Sequence, residues 1–320
     1  WTLGSDYIKI ELPGAANGLG TPQLADLDGN GTPDRAYAGD LYGNMWAFDL
    51  SSSNTNAWQV DYTNGSTPVP LFTAINAAGD VQPITSKPIL ARCPYDNSVS
   101  PDVMVLFGTG QYLIEGDKTT SGTQTFYGIW DRGDDELERV DLLEQFANDP
   151  SLSYDTTAVR VPTDFTMDPL TQFGWYMDLP DAGERVVSNP LVRGGIAFFN
   201  TIIPDAGDPC VVGGGGWLMS VDICDGSRPD EPAFDLNRDN VVNNGDLVAD
   251  TTLTDASGNP ITNAPGGERF NPNEGLPWQS SVLGDRQYTP GSTGNIETRT
   301  INVSNNTLAG RLSWEQLINE

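Results

Sequence analysis

Residues 26–34 read Asp26-Leu27-Asp28-Gly29-Asn30-Gly31-Thr32-Pro33-Asp34, with side-chain oxygens at positions 1, 3, 5 and 9 and glycine at position 6. Hard oxygen donors at alternate positions of a tight loop wrap around one hard cation, and the Thr32 carbonyl at position 7 adds a backbone ligand, as in an EF-hand loop. The spacing predicts a Ca²⁺ site formed by Asp26, Asp28, Asn30, Thr32 and Asp34. Position 12 of a full loop is Tyr37, which cannot ligate. The expected site is therefore a shortened one, closed by Asp34 and running directly into a strand over 35–38.

A second loop, residues 235–246, keeps twelve positions. Asp235, Asn237, Asp239, Asn243 and Asp246 supply oxygens at positions 1, 3, 5, 9 and 12, and the Val241 carbonyl stands at position 7, so these six residues form a second predicted Ca²⁺ site. This loop resembles a dockerin-type loop. Asn240 replaces the usual Gly at position 6, a substitution that works because Asn enters the left-handed backbone region more readily than most residues. Asp246 in place of Glu shortens the arm that would close the site. Each loop gathers three carboxylates, and an unscreened pair about 5 Å apart repels by roughly 3 kcal/mol at an effective dielectric of about 20, so both loops should loosen without a cation. The competing reading for each is a solvated Asx-rich turn.

The composition narrows the chemistry further. The 320 residues contain no histidine, which removes Ser-His-Asp triads, Cys-His pairs, His-ligated zinc and His general bases together. Sixteen Lys and Arg against 44 Asp and Glu give a formal charge of −28, which repels phosphate backbones and argues against nucleic acid or an anionic membrane surface as a partner. Salt-adapted solubility explains the same excess without any cation. No run approaches 18 uninterrupted apolar residues, so no membrane-spanning helix is expected. No charged start followed by an apolar stretch precedes Trp1, and the chain reads as a piece of a longer precursor. Of the three cysteines, Cys210 and Cys224 flank a Gly-rich turn and a strand-like run and are one candidate disulfide for an oxidising compartment; Cys93 would be left over, and spacing alone leaves the connectivity open.

Positioning such loops calls for a rigid scaffold, and 35 Gly and 23 Pro scattered between short β-rich runs point to strands and turns. A unit recurs three times: a Pro-led apolar strand, a second apolar strand, then an aromatic and aliphatic strand ending in Asp. Its members run from 21–24 to 43–49, from 86–90 to 126–131 and from 188–192 to 217–222. A repeated small multi-strand unit is how a β-propeller looks in sequence, with irregular spacing marking insertions, whereas a stacked sandwich is the competing architecture. The expected fold is all-β: a modified β-propeller, whole or partial, over 1–320 with long inserted loops, among them 225–272 carrying the second calcium loop, and one short helix. That helix is expected over 134–146, capped by Asp134, with Leu137, Val140, Leu143 and Phe146 near one face. Residues 63–80, 225–234 and 254–272 read as long loops, and 276–304 as a further strand set. Arg132-Gly133-Asp134 precedes the helix where an integrin could reach it, although Asp134 has a sufficient local role as a cap.

Taken in order along the chain, residues 26–50, 82–88, 106–112, 126–131, 174–180, 183–187, 208–210 and 310–314 resemble the C-terminal domain of the PilY-type, type IV pilus tip-associated adhesins of Gram-negative bacteria. The resemblance implies a modified β-propeller, a calcium site at Asp26, Asp28, Asn30, Thr32 and Asp34, and an extracellular place at the pilus tip or outer cell surface. It implies minor pilins and a host or abiotic surface as partners. It further implies a non-enzymatic role in pilus biogenesis, surface attachment and twitching motility, with calcium as brace or switch. The alternative is a quinoprotein-like propeller dehydrogenase, because Ala38-Gly39-Asp40 through Trp46-Ala47-Phe48-Asp49-Leu50 also resembles the blade motif of quinone-cofactor enzymes. A carboxylate-only glycosidase comes third, without a spacing that identifies an acid pair.

Overall fold

The computed structural model describes residues 1–4, 6–14, 17–95, 99–133, 137–148, 152–205, 213–254 and 260–302. The three recurrent units become the antiparallel cores of three sheets. The first runs Gln23–Ala25, Arg35–Gly39, Asn44–Asp49 and Gln59–Val60, with Phe72–Thr73 also paired to Asn44–Asp49. The second places Ile89–Ala91, Val103–Gly108, Thr125–Asp131 and Gly174–Asp178 in spatial order, and the third Leu191–Arg193, Ile196–Ile203, Gly215–Asp222 and Gly267–Arg269. The leading strands Gln23–Ala25, Ile89–Ala91 and Leu191–Arg193 lie next to one another, as inner strands of successive propeller blades do. A fourth sheet, Ser281–Leu283, Arg286–Pro290 and Ile296–Thr300, supplies the strand set expected after residue 276. Among the described residues the sheets do not close into a ring.

Alternation along the strands explains why the middle sheets read as almost continuous apolar runs. In Val103–Gly108, Val103, Val105 and Phe107 face the first sheet with Tyr37, Met45 and Ala47, whereas Met104 and Leu106 face the third with Phe199, Trp217 and Met219. Both faces are buried, so most of their residues are apolar, and polar side chains among them such as Thr125 and Asp131 are hydrogen-bonded inside the protein. Phe126 and Phe199 stack across the second interface at 3.8 Å between centroids and 5° between planes. A third cluster, with Phe198, Leu218, Phe234 and Ile301, seals the third sheet against the fourth region.

Close approach of sheets requires glycine at two equivalent points. A Cβ on Gly39 would overlap Ile84, and one on Gly108 would overlap Val186. Each glycine ends the second strand of its sheet and admits the apolar lead-in of the next, a repeat of packing as well as of sequence.

Three expectations are corrected. No helix spans 134–146: residues 134–136 lie outside the described residues, Arg139–Asp141 forms one 3₁₀ turn, and Leu143–Gln145 is a strand running parallel to Gly174–Asp178. Leu137 and Leu142 are the apolar residues buried, together with the polar Gln145, while Val140 is 82% exposed and Phe146 47%, so the supposed apolar face is divided. Pairing with an open sheet edge outweighs the weak local preference for helix. The chain then continues through Ala147–Asn148 and Thr157–Pro162 on the far side of the third sheet before returning as the fourth strand of the second, which accounts for the irregular repeat spacing.

The disulfide joins Cys93 to Cys224, with Cα atoms 5.6 Å apart, and not Cys210 to Cys224; Cys210 lies outside the described residues. Packing of the second sheet on the third brings together two cysteines 131 residues apart, which local spacing cannot register. Finally, the stretches read as loops contain strands: Thr63–Asn64 with Thr67–Pro68, and Val248–Thr254 with Pro260–Asn263, followed by Gly267–Arg269.

Candidate metal sites

The first loop connects the first two strands of the first sheet, whose pairing of Ala25 with Arg35 fixes its ends, helped by Asp34 N donating to the Ala25 carbonyl at 2.8 Å. Inside, Asp26 accepts hydrogen bonds from the backbone N–H of Gly29, Asn30 and Gly31 at 2.8, 3.2 and 2.9 Å. Asp34 accepts from the N–H of Leu27 at 2.7 Å and Asp28 at 3.4 Å. Gly29 and Gly31, at positions 4 and 6, take φ of +76° and +89°, a region that glycine enters without steric cost. The outcome is convergence: carboxylate oxygens of Asp26, Asp28 and Asp34 all lie within 4.8 Å of one another, and this is the one such group of three potential ligands among the described residues. Asn30 is held in the same turn, its Oδ1 accepting from Thr32 N at 2.7 Å and its Nδ2 donating to Asp28 at 2.8 Å. Tyr37 is buried in the core, donating to Asp131 at 2.7 Å, so it plays no part in the loop; burial and the neighbouring Asp131 push its phenol well above the ordinary range.

The second loop follows the same frame with different residues. Asp235 accepts from the N–H of positions 5 and 6, Asp239 at 3.1 Å and Asn240 at 2.8 Å. Asp246 accepts from positions 2 and 3, Leu236 at 2.8 Å and Asn237 at 3.0 Å, as Asp34 does from position 9 of the shorter loop. Positions 4 and 6 are again left-handed, Arg238 at φ +61° and Asn240 at +71°, so Asn240 does what the sequence expects of it. Arg238 in that region was not foreseeable from residue type. The side chains of Asn237, Asp239 and Asn243 are engaged with the backbone N–H of Asp239, Val241 and Gly245. Asp235, Asp239 and Asp246 do not draw together as closely as the first triad, so the first loop has the better-formed cation geometry.

The contacts that hold the second loop have no signal in local sequence. Asp235 N donates to Thr300 O at 3.1 Å, Tyr154 donates to Gly245 O at 2.8 Å, Arg238 reaches Glu268 at 3.2 Å and Arg286 reaches Asn240 at 2.8 Å. Desolvation first, then the negative field of Asp246, Asp155, Asp239 and Asp235, raises the Tyr154 phenol.

Other residues singled out by motif have structural roles. Asp40, in the segment that resembles a quinoprotein blade, accepts from Tyr42 N, Asn44 N, Asn44 Nδ2 and Trp46 Nε1, which occupies both carboxylate oxygens in a turn clasp. The Arg132 guanidinium lies 5.2 Å from the Trp130 ring and 4.9 Å from Phe173 and donates to Pro169 O, while Asp134 lies outside the described residues. A cavity of about 830 Å³ between the 69–79 segment and residues 137–140 has a single carboxylate, Glu138, in its lining. That does not supply the pair that glycoside hydrolysis uses.

An all-β succession of propeller-like blades, with an oxygen-rich loop set between two strands of the first, defines the class: a β-propeller-like protein. The family model for the PilY1 beta-propeller domain matches residues 3–144. A PilY1 homolog of Xylella fastidiosa is 37% identical over 219 residues, covering 66% of this chain and 14% of that protein. The type IV pilus biogenesis factor PilY1 of Pseudomonas aeruginosa is 30% identical across 97% of this chain and 28% of its own length. The crystal structure of the P. aeruginosa PilY1 C-terminal domain superposes with a TM-score of 0.73 at 25% identity, covering 93% of this chain and 64% of that one. The chain belongs to the PilY-type proteins of type IV pili, and it spans 14% and 28% of the lengths of these two full-length relatives. Those relatives are named as pilus biogenesis factors, not as enzymes. No described helix is long and apolar enough to cross a membrane.

Proposed function

We propose that this chain is the propeller region of a type IV pilus biogenesis factor that acts outside the cell, at or near the pilus tip, and that Ca²⁺ braces it there. The observation that carries the calcium reading is the triad of Asp26, Asp28 and Asp34 within 4.8 Å, held by backbone N–H groups and not by countercharges. Asn30 and the Thr32 carbonyl would complete the set, and the second loop would offer Asp235, Asn237, Asp239, Val241, Asn243 and Asp246. A hard cation supplies positive charge and ties the two ends of a loop together. Since the first loop's ends are the adjoining strand ends at Ala25 and Arg35, binding there would stiffen the first sheet. Attachment to surfaces, twitching motility and minor pilins as partners extend the same reading, supported by similarity to the type IV pilus biogenesis factor PilY1 of P. aeruginosa. The Arg132-Gly133-Asp134 tripeptide adds little support for integrin binding, because Arg132 is already stacked on two rings.

The test is a strain whose full-length protein carries Asp34→Ala, scored for twitching zone and surface attachment beside wild type at matched pilus protein levels. Reduced motility with normal protein abundance is the expected result. Wild-type motility in a variant that no longer binds calcium would remove the calcium-dependent role.

A further inference from the structure

The chain has only sixteen Lys and Arg, yet three guanidiniums, Arg238, Arg269 and Arg299, line one cavity of about 400 Å³ beside the second loop. The lining contains one carboxylate, Glu297. Two further acids stand by these arginines without being lining residues: Glu268, 1% exposed, pairs with Arg299 at 2.8 Å and Arg238 at 3.2 Å, and Asp181 pairs with Arg269 at 3.2 Å. These carboxylates fix where the arginines sit. Arg299 is consumed by them, bonding Glu268 and Glu297 and donating to Thr298 O, with 4% of its side chain exposed. Arg238 and Arg269 are different: their side chains remain 54% and 32% exposed. Arg269 lies 5.3 Å from the Trp217 ring, which restrains its plane, and Arg238 projects from a backbone held at φ +61° by the loop. The rim carries neutral hydrogen-bonding groups, the hydroxyls of Thr156 and Thr157 and the Asn271 amide.

We propose that this cavity is a binding site for a small oxyanion-bearing ligand, with Arg238 and Arg269 engaging a carboxylate and Thr156, Thr157 and Asn271 bonding neighbouring hydroxyls, the chemistry of an acidic monosaccharide. A guanidinium presents N–H groups in a planar fork that matches a carboxylate, and charge-assisted bonds of this kind are about twice as strong as neutral ones. The cavity lies at the small end of the range of roughly 300 to 1,000 Å³ typical of ligand pockets, which suits one sugar ring and not an oligosaccharide. Arg299 contributes field and not contact, and Glu297 opposes the ligand.

The experiment is calorimetric titration of the purified chain with sodium galacturonate, with galactose and with inorganic phosphate, in excess calcium and again in chelator. The wild type should bind galacturonate at least about tenfold more tightly than galactose, and Arg238→Gln and Arg269→Gln should each weaken that binding about tenfold or more, the range for one lost charged hydrogen bond. Glu297→Gln should tighten it, an effect of opposite sign that partial unfolding cannot produce. Binding of phosphate as well as galacturonate, with the same dependence on the two arginines, assigns the site to free oxyanions; galacturonate alone assigns it to an acidic sugar. No binding of either anion at 10 mM (on the order of 3 kcal/mol of affinity), or binding indifferent to all three substitutions, overturns the proposal. Because Arg238 belongs to the second loop, dependence on calcium is read separately: anion binding that persists in chelator leaves this site standing whatever becomes of the calcium reading.

Discussion

Replacing Asp34 with Ala separates what the carboxylate does without a cation from what it does with one. Without calcium, two opposed terms change. The variant loses an acceptor for the N–H groups of Leu27 and Asp28, bonded at 2.7 and 3.4 Å, which costs about 1 kcal/mol at this partly exposed site. It also relieves repulsion with Asp26 and Asp28, whose oxygens lie within 4.8 Å; the roughly 3 kcal/mol expected per unscreened pair falls to about 1 kcal/mol with solvent access. With two pairs relieved against one set of hydrogen bonds lost, the balance favours the variant by about 1 kcal/mol, so its melting temperature in chelator should equal or slightly exceed that of wild type. With calcium at about a hundredfold over its dissociation constant, the wild type gains about 2.7 kcal/mol and the variant, lacking the closing arm, gains almost none. For a domain of this size that difference is a shift of roughly 5 °C. The assay is differential scanning calorimetry in chelator and in calcium, performed in an Asp239→Ala background so that only the first loop responds. An equal calcium shift with and without Asp34 would refute the reasoning, as would a collapse of the variant in chelator, which would make Asp34 a structural acceptor first.

Glu184→Gln should destabilise the chain by roughly 3 kcal/mol in urea unfolding, because it strips the charge from a buried pair in which Arg160 bonds both Glu184 oxygens at 2.7 and 2.8 Å. A loss below about 1 kcal/mol would mean that Asp181, 3.2 Å from Arg160, already neutralises it. Asp222 gives a pH signature: burial first, then Asp225, pushes its carboxyl up to about 6 from an ordinary 3.8. The folded state therefore holds that proton more tightly than the unfolded one, so the stability it contributes is complete below about pH 4 and is lost as pH rises through 6. Asp222→Asn should raise stability at pH 7 to 8 by on the order of 2 kcal/mol and leave it unchanged near pH 3.5, read from unfolding midpoints across that range.

The geometry of the two oxygen-rich loops was legible because its determinants are local. Ligand spacing and the demand for left-handed backbone at position 6 are written in nine or twelve consecutive residues, and the hydrogen bonds of Asp26 and Asp235 to their own loops follow from that spacing. The three-fold recurrence of strands was legible for a similar reason, since each unit pairs with its immediate successors. The helix over 134–146 failed because its apolar spacing fits a helix and a strand edge alike, and the open edge at Gly174–Asp178 lies some thirty residues away. The Arg160–Glu184 pair and the Tyr37–Asp131 bond were invisible, as no spacing rule links residues 24 or 94 positions apart.

By itself the sequence determined that this is a histidine-free, acidic, all-β chain with repeated strand units and two oxygen-rich loops, because residue type and short-range spacing dictate those properties. Tertiary structure alone decided which cysteines join, that residues 143–145 become a strand, that the first loop's carboxylates converge more closely than the second's, and that arginines 238, 269 and 299 share a cavity. Each of those outcomes depends on surfaces buried between sheets, and which surfaces meet is settled only when the blades pack.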